Sequence, residues 1–275
     1  MKRIQKISLE LVAISIGVLV FIPLYLLIIN SFKSHAEILR TPLAFPGIDV
    51  GVDNILRAVK QMNIGHAYAT TFSIGFVAVM IAISFSALAG YALARLEHPV
   101  FRLMYWVFLA GILLPIPSLI IPLVFVLKAL GLGNTFIGIS FAYAAIISPF
   151  AIFVYCGFFR TIPRELEEAA FIDGCSPVRA FIQIVLPLMK PVTATLVILQ
   201  FIYVWNDILF PLVLVNSADY PTVGIALWKF FGSRGRTDLS LLFGGSSLVL
   251  IPVLVMFLSF QRFFVKGLVA GAIKG

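Results

Sequence analysis

Charged side chains are scarce in this 275-residue sequence. Asp, Glu, Lys and Arg supply 12% of it and hydrophobic residues 61%, whereas a soluble domain carries roughly a quarter and a half. That balance excludes an ordinary soluble chain and points to a surface that meets lipid. Cysteine is nearly missing: Cys156 lies in an apolar run and Cys175 in a polar one. No disulfide framework is expected, and both take packing roles. His35 and His66 stand apart from Cys or carboxylate partners at ligand spacing, which argues against a metal site. The sequence also lacks a Gly-x-x-x-x-Gly-Lys-Ser/Thr phosphate loop, a His-Glu-x-x-His helix and a Ser/His/Asp set. The chain is therefore expected to be no enzyme and to hold no cofactor.

What is present is a series of apolar runs at residues 11–29, 68–94, 104–127, 135–159, 192–215 and 239–260. Each is long enough to cross a bilayer, which takes about 20 residues. The predicted fold is an all-α polytopic membrane protein with six transmembrane helices. Residues 1–67 are expected to form the first helix and first external loop, 68–260 a core of five helices, and 261–275 a cytoplasmic tail. Lys2, Arg3 and Lys6 precede the first run, which is too long for a cleaved signal and lacks a small-residue cleavage site nearby. With both termini cytoplasmic, 12 of the 20 Lys and Arg residues fall inside and 8 outside, as the positive-inside rule favours. These basic residues punctuate apolar spans and form no stripe suited to nucleic acid.

Particular residues mark the spans and loops. Residues 52–67 fit one short amphipathic helix, and 232–236 the tip of the last external loop. Pro115, Pro117 and Pro122 in the third run free backbone carbonyls that lipid cannot satisfy. That span is either a kinked helix lining a pathway or a kink with a packing role. In the fifth run, Asp207 is an ionisable group inside a span, expected in its outer half and facing the bundle interior or an aqueous path. Tyr203, Trp205, Asn206 and Asp207 together either line a translocation pathway or pack the span and its interface with a partner. Gly244-Gly245-Ser246-Ser247 in the sixth run permits close helix approach.

The most polar cytoplasmic segment follows the fourth run. Thr161 is predicted to cap a helix with Pro163 in its first turn, and Glu165, Glu167 and Glu168 lie near its positive dipole end. Gly174 ends that helix, Ser176-Pro177 starts a second, and Pro187 stops it. Helix, elbow and helix make a knob whose Ala169 and Ala170 let another protein approach closely.

The spacing within this knob is Glu168-Ala169-Ala170, three residues, Gly174, nine residues, Ile184, one residue, Leu186-Pro187. It resembles the cytoplasmic signature loop in the membrane subunits of binding-protein-dependent ABC importers. Residues 89–95, Gly133-Asn134-Thr135, Ser148-Pro149-Phe150, Trp205-Asn206-Asp207 and the tail 261–275 resemble the carbohydrate branch, and in particular the shorter permease subunit of maltose-type importers. The likeness covers roughly residues 68–275.

The resemblance implies a permease subunit of an ATP-driven importer for a sugar or oligosaccharide in a prokaryotic plasma (inner) membrane. Its implied partners are a second homologous permease, a cytoplasmic ABC ATPase dimer and an extracytoplasmic sugar-binding protein. Glu168, Ala169, Ala170, Asp173, Gly174, Ile184, Leu186 and Pro187 would couple to the ATPase. Gln261, Arg262, Lys266 and Lys274 of the tail would reach it as well. The alternative, an ion-coupled secondary transporter subunit, calls for buried charges and inverted repeats. Asp207 is the one clear intramembrane charge, and no second copy of the knob is found.

Overall fold

A computed structural model describes residues 2–47, 51–232 and 237–272, with the side chains of residues 2–5, 7 and 261–272 outside that description. Among the described residues the secondary structure is entirely helical. In chain order the elements are α1 (Lys2–Asn30), α2 (His35–Arg40), α3 (Asp53–Met62), α4 (Ile64–Arg95) and α5 (Pro99–Leu113). A 3-10 turn, Ile116–Leu119, leads to α6 (Ile120–Ala129) and α7 (Phe136–Phe159). The knob holds α8 (Glu165–Ile172), α9 (Pro177–Ala180), a π turn at Phe181–Val185 and α10 (Leu186–Leu188). After it come α11 (Lys190–Asn206), α12 (Leu209–Leu214), α13 (Val223–Trp228) and α14 (Leu239–Ala272).

Four helical stretches are long and apolar enough to cross a membrane: Ser8–Asn30, Ile64–Arg95, Phe136–Phe159 and Leu239–Phe260. Two bent pairs raise the number to six if each is one span: Pro99–Leu113 with Ile116–Ala129 at 109°, and Pro177–Leu188 with Lys190–Asn206 at 72°. The predicted third span is thus no single kinked helix. Leu114 precedes Pro115 and is extended (φ −71°, ψ 130°), because a following proline disfavours the helical region. Pro122 then falls in the first turn of α6, where no intrahelical donor is needed. The predicted fifth span is also divided, at Asp207 (φ −79°, ψ 139°).

The chain forms two compact units, residues 1–67 with 226–254 and residues 68–225 with 255–275. In the first, a fully buried Lys33 donates from Nζ to the carbonyls of Thr41 (2.8 Å) and Pro42 (3.2 Å). The ammonium is compensated by backbone oxygens, as a charge removed from water requires. Asn54 Nδ2 donates to the carbonyls of Ser31 and Lys33. Gly244 lies so close to α3 that an added Cβ would stand 3.0 Å from the Asn54 carbonyl oxygen. The expected small-residue approach is present there.

The second unit is built on α4 against α7. Ala78, Ala82, Ser86 and Gly90 recur every four residues and so form one ridge of a helix. The first three are buried, and a Cβ on Gly90 would lie 2.7 Å from Tyr155 Cβ and 3.1 Å from the Cys156 backbone nitrogen. Such contact between backbones gains van der Waals packing where lipid offers no hydrophobic drive. Ser148-Pro149 does not interrupt α7, which runs through the proline. Two carbonyls just before the proline accept side-chain donors from neighbouring helices: Ser148 from Ser86 Oγ (3.3 Å) and Ile147 from Gln200 Nε2 (3.1 Å).

Candidate functional site

The knob begins later than its residues predict. Thr161 still belongs to the closing turn of α7 and donates from Oγ1 to the Phe158 carbonyl (2.8 Å), so its hydroxyl does not cap α8. Pro163 lies in the linker, Arg164 is the N-cap position without a side-chain cap, and Glu165, Glu167 and Glu168 occupy the first turn. Gly174 ends the helix as expected, at φ +82°. Its N–H bonds the Phe171 carbonyl (3.1 Å), and the Cys175 N–H bonds that of Ala170 (2.9 Å). This left-handed termination satisfies two end carbonyls and favours glycine. Ser176 accepts from the Arg179 N–H at 3.3 Å and caps α9. Pro187 does not stop the second helix. Leu186 N–H reaches back to the Phe181 carbonyl in a π turn, Pro187 follows within α10, and the 72° bend comes near Met189.

These turns divide the signature residues between two surfaces. Glu165, Glu168 and Ala169 are exposed, as is Ile172 at 87%. Their helical spacing makes them one outward stripe. Asp173 and Gly174 are exposed at its end. Ala170, expected on the same face as Ala169, is buried in the chain's own core. Half-buried Leu186 and Pro187 line an apolar cleft of about 670 Å³ with Leu88, Tyr155, Ile182 and Lys190. Ile184 is half-buried.

Glu167, read from sequence only as one of three dipole-complementing acids, is buried and points to α4. Tyr91 Oη donates to its Oε2 (2.6 Å) and Arg95 Nε to its Oε1 (2.7 Å). Arg95 Nη2 also pairs with that carboxylate and donates to the Ile162 carbonyl (3.0 Å). Side-chain exposures of 10% for Arg95 and 8% for Glu167 make this a desolvated, doubly hydrogen-bonded pair. The Tyr91 ring lies against Phe181 at 4.7 Å and Phe159 at 5.6 Å. A second, exposed bridge joins Arg164 to Glu97 at 3.1 Å. The sequence signal for the buried pair was the four-residue spacing of Tyr91 and Arg95, which puts both on one face of α4.

Asp207 is held within the chain. Its carboxylate accepts the N–H groups of Leu209 (3.3 Å) and Phe210 (3.0 Å), which start α12, and the hydroxyl of Tyr143 on α7 (2.7 Å). Pro211 then sits in that first turn without needing a donor. An ion-coupled carrier would need this carboxylate for a cation; here it is engaged as a helix cap. Trp205 is buried against Phe201 and Tyr68, Tyr203 is half-buried, and Asn206 is exposed. Gly133-Asn134-Thr135 forms the turn into α7: Thr135 caps Gly138 N–H at 2.9 Å, and Asn134 Oδ1 accepts the Asn216 N–H at 2.6 Å.

Gln261, Arg262 and Lys266 lie on the α14 backbone with their side chains outside the described set; Lys274 and residues 233–236 lie outside the described residues. Among the described residues no three His, Cys, Asp or Glu side chains form a possible metal site. His35 Nδ1 accepts the Leu239 N–H at 3.2 Å instead.

Four apolar helices long enough to span a membrane, two bent helix pairs and a helical knob fastened to α4 define a polytopic helical membrane protein. The chain belongs to the binding-protein-dependent transport system inner membrane component family, whose model matches residues 82–269. It is 32% identical to the probable starch degradation products transport system permease protein AmyC of Thermoanaerobacterium thermosulfurigenes, over 99% of this chain and 98% of that one. It is 32% identical to the melibiose/raffinose/stachyose import permease protein MelC of Bacillus subtilis (93% and 92% covered). Identity to the trehalose transport system permease protein SugB of Mycobacterium tuberculosis is 38% (82% and 83% covered). In fold it matches a chain of a bacterial ABC transporter involved in the import of the acidic polysaccharide alginate, with a TM-score of 0.79, 20% identity, and 94% and 97% of the two chains covered.

Proposed function

We propose that this chain is one of two homologous permease subunits in an ATP-driven importer of a sugar or oligosaccharide. The carrying observation is the family match over residues 82–269, in a chain whose near full-length relatives are named for saccharide transport. Nucleotide hydrolysis belongs to a separate ABC ATPase dimer, since this sequence has no phosphate loop, and substrate capture belongs to an extracytoplasmic binding protein. The protein lies in a prokaryotic plasma (inner) membrane with six spans and both termini cytoplasmic. The outward stripe of α8 meets the ATPase: Glu168 offers a charged contact, Ala169 a close one, and Ile172 an apolar one that the chain itself leaves uncovered. Gln261, Arg262, Lys266 and Lys274 add a second contact. At the break in the fifth span, Asn206 and Tyr203 face the translocation pathway, with Trp205 and Asp207 supporting them.

The test is uptake of radiolabelled maltotriose, raffinose and trehalose by cells carrying variants, with ATPase co-purification, both normalised to permease in the membrane. Glu168→Lys and Gly174→Val are expected to lower uptake or ATPase recovery at least tenfold with insertion intact, the second because a β-branched residue resists positive φ. Glu165→Ala should be milder. Wild-type uptake and recovery in both severe variants would reduce the knob to a passive linker.

A further inference from the structure

Two neighbouring glutamates of α8, about 100° apart around its axis, meet different surroundings. Glu168 is exposed, while Glu167 is buried with both carboxylate oxygens engaged by α4. A buried ion pair adds little net stability over an apolar pair of the same volume, but a guanidinium fork against a carboxylate fixes distance and orientation. The chain's own connections to α8 are interrupted. An irregular linker of residues 160–164 precedes it, and a left-handed elbow, a π turn and a 72° bend come after it. Arg95 holds that preceding linker too, through the Ile162 carbonyl.

The recipient, α4, is one unbroken helix of 32 residues without proline, so it lacks the commonest cause of a kink. From Arg95 it extends about 40 Å to Tyr68, at 1.5 Å per residue. There Tyr68 lies 5.7 Å from Trp205, beside the break in the fifth span. Partway along, Gly75 is so close to Phe201 that a Cβ would stand 2.9 Å from its ring. The same helix therefore touches the knob at one end and the Trp205-Asn206-Asp207 segment at the other.

We propose that Glu167 is a positioning residue that fastens α8 to the Tyr91–Arg95 end of α4, so that displacement of α8 by its partner moves α4 and, through it, the wall around Trp205. This rests on the reading of α8 as the ATPase-docking helix.

The experiment uses the full importer in lipid vesicles with Cys156 and Cys175 replaced by alanine and a single cysteine at exposed Met80 on α4. The thiol-labelling rate is measured before and after trapping with ATP and vanadate, together with ATPase recovery per permease. In the otherwise unaltered importer, trapping is expected to change the rate at least threefold. In Glu167→Gln, close in shape but uncharged, ATPase recovery should stay within twofold of that parent while the trapping response disappears. Arg95→Lys keeps the charge but loses the fork, and should lose most of the response. Arg95→Glu with Glu167→Arg should regain part of what either loses alone.

A parent with no response, or Glu167→Gln with the full response, would overturn the proposal. So would a loss of response accompanied by an equal loss of ATPase. If Glu167→Gln fails to accumulate, Arg95→Lys decides on the same criteria. Glu168→Lys serves as the docking control: if it keeps full ATPase recovery, the assignment of the outward face fails, independently of what Glu167 does.

Discussion

At the scale of single residues, what matters is which groups a carboxylate can still bind. Asp207 accepts two backbone N–H groups and a tyrosine hydroxyl, so its position in a span reflects the start of α12. Asp207→Ala removes the cap, which costs about 0.5–2 kcal/mol, and leaves the Tyr143 hydroxyl to find another acceptor, at about 1–3 kcal/mol if buried and unpaired. We expect a loss of roughly 2–3 kcal/mol from the two together, read as a lower thermal midpoint in detergent. Asp207→Asn keeps the capping geometry and should lose less than half as much. Equal losses in both variants would mean that charge, and not capping, is what the site requires. Glu167 shows the limit of reading such residues in sequence. Three acids in one helical turn look alike by composition, and Glu167 is distinguished only by Tyr91 and Arg95, which lie 76 and 72 residues earlier.

At the scale of elements, the spanning segments were legible because lipid imposes length and apolarity on them. The breaks were less so. A hydropathy run averages over Leu114-Pro115 and over Asp207, whereas the backbone responds to one proline or one capping oxygen. The knob was legible where its chemistry is local, at Ser176 and Gly174, and misread at Thr161 and Pro187, where the preceding helix and a π turn decide. The four-residue ridge on α4 yields its own expectation. Gly90→Val would drive atoms into the Tyr155 side chain and the backbone at Cys156, and overpacking of this kind costs about 1–3 kcal/mol. Less protein in the membrane and a lower thermal midpoint are expected. Gly157→Ala, whose Cβ meets nothing within 4 Å, should match wild type. Equal behaviour of the two would mean that α4 and α7 do not meet at Gly90.

At the scale of the whole molecule, the proposed orientation assigns each exposed loop to a side. In a background without Cys156 and Cys175, a cysteine at exposed Ser34 should react with an impermeant thiol reagent in intact cells. One at Glu97, whose side chain is 81% exposed, should react only after the membrane is opened. The reverse pattern would invert the topology. The two faces of α8 also give its length a meaning. Deleting one residue ahead of Glu167 rotates the remainder of the helix by about 100°, so Glu168 takes the slot facing Arg95 and the ion pair keeps a carboxylate. The outward slot then receives Ala169, and the buried place of Ala170 receives Phe171. The glutamate doublet thus spares the ion pair in a slip, while the outer face loses the charge of Glu168 and the core must admit a phenyl ring where Ala170 is buried: α8 is read in a frame, and both of its faces register the error.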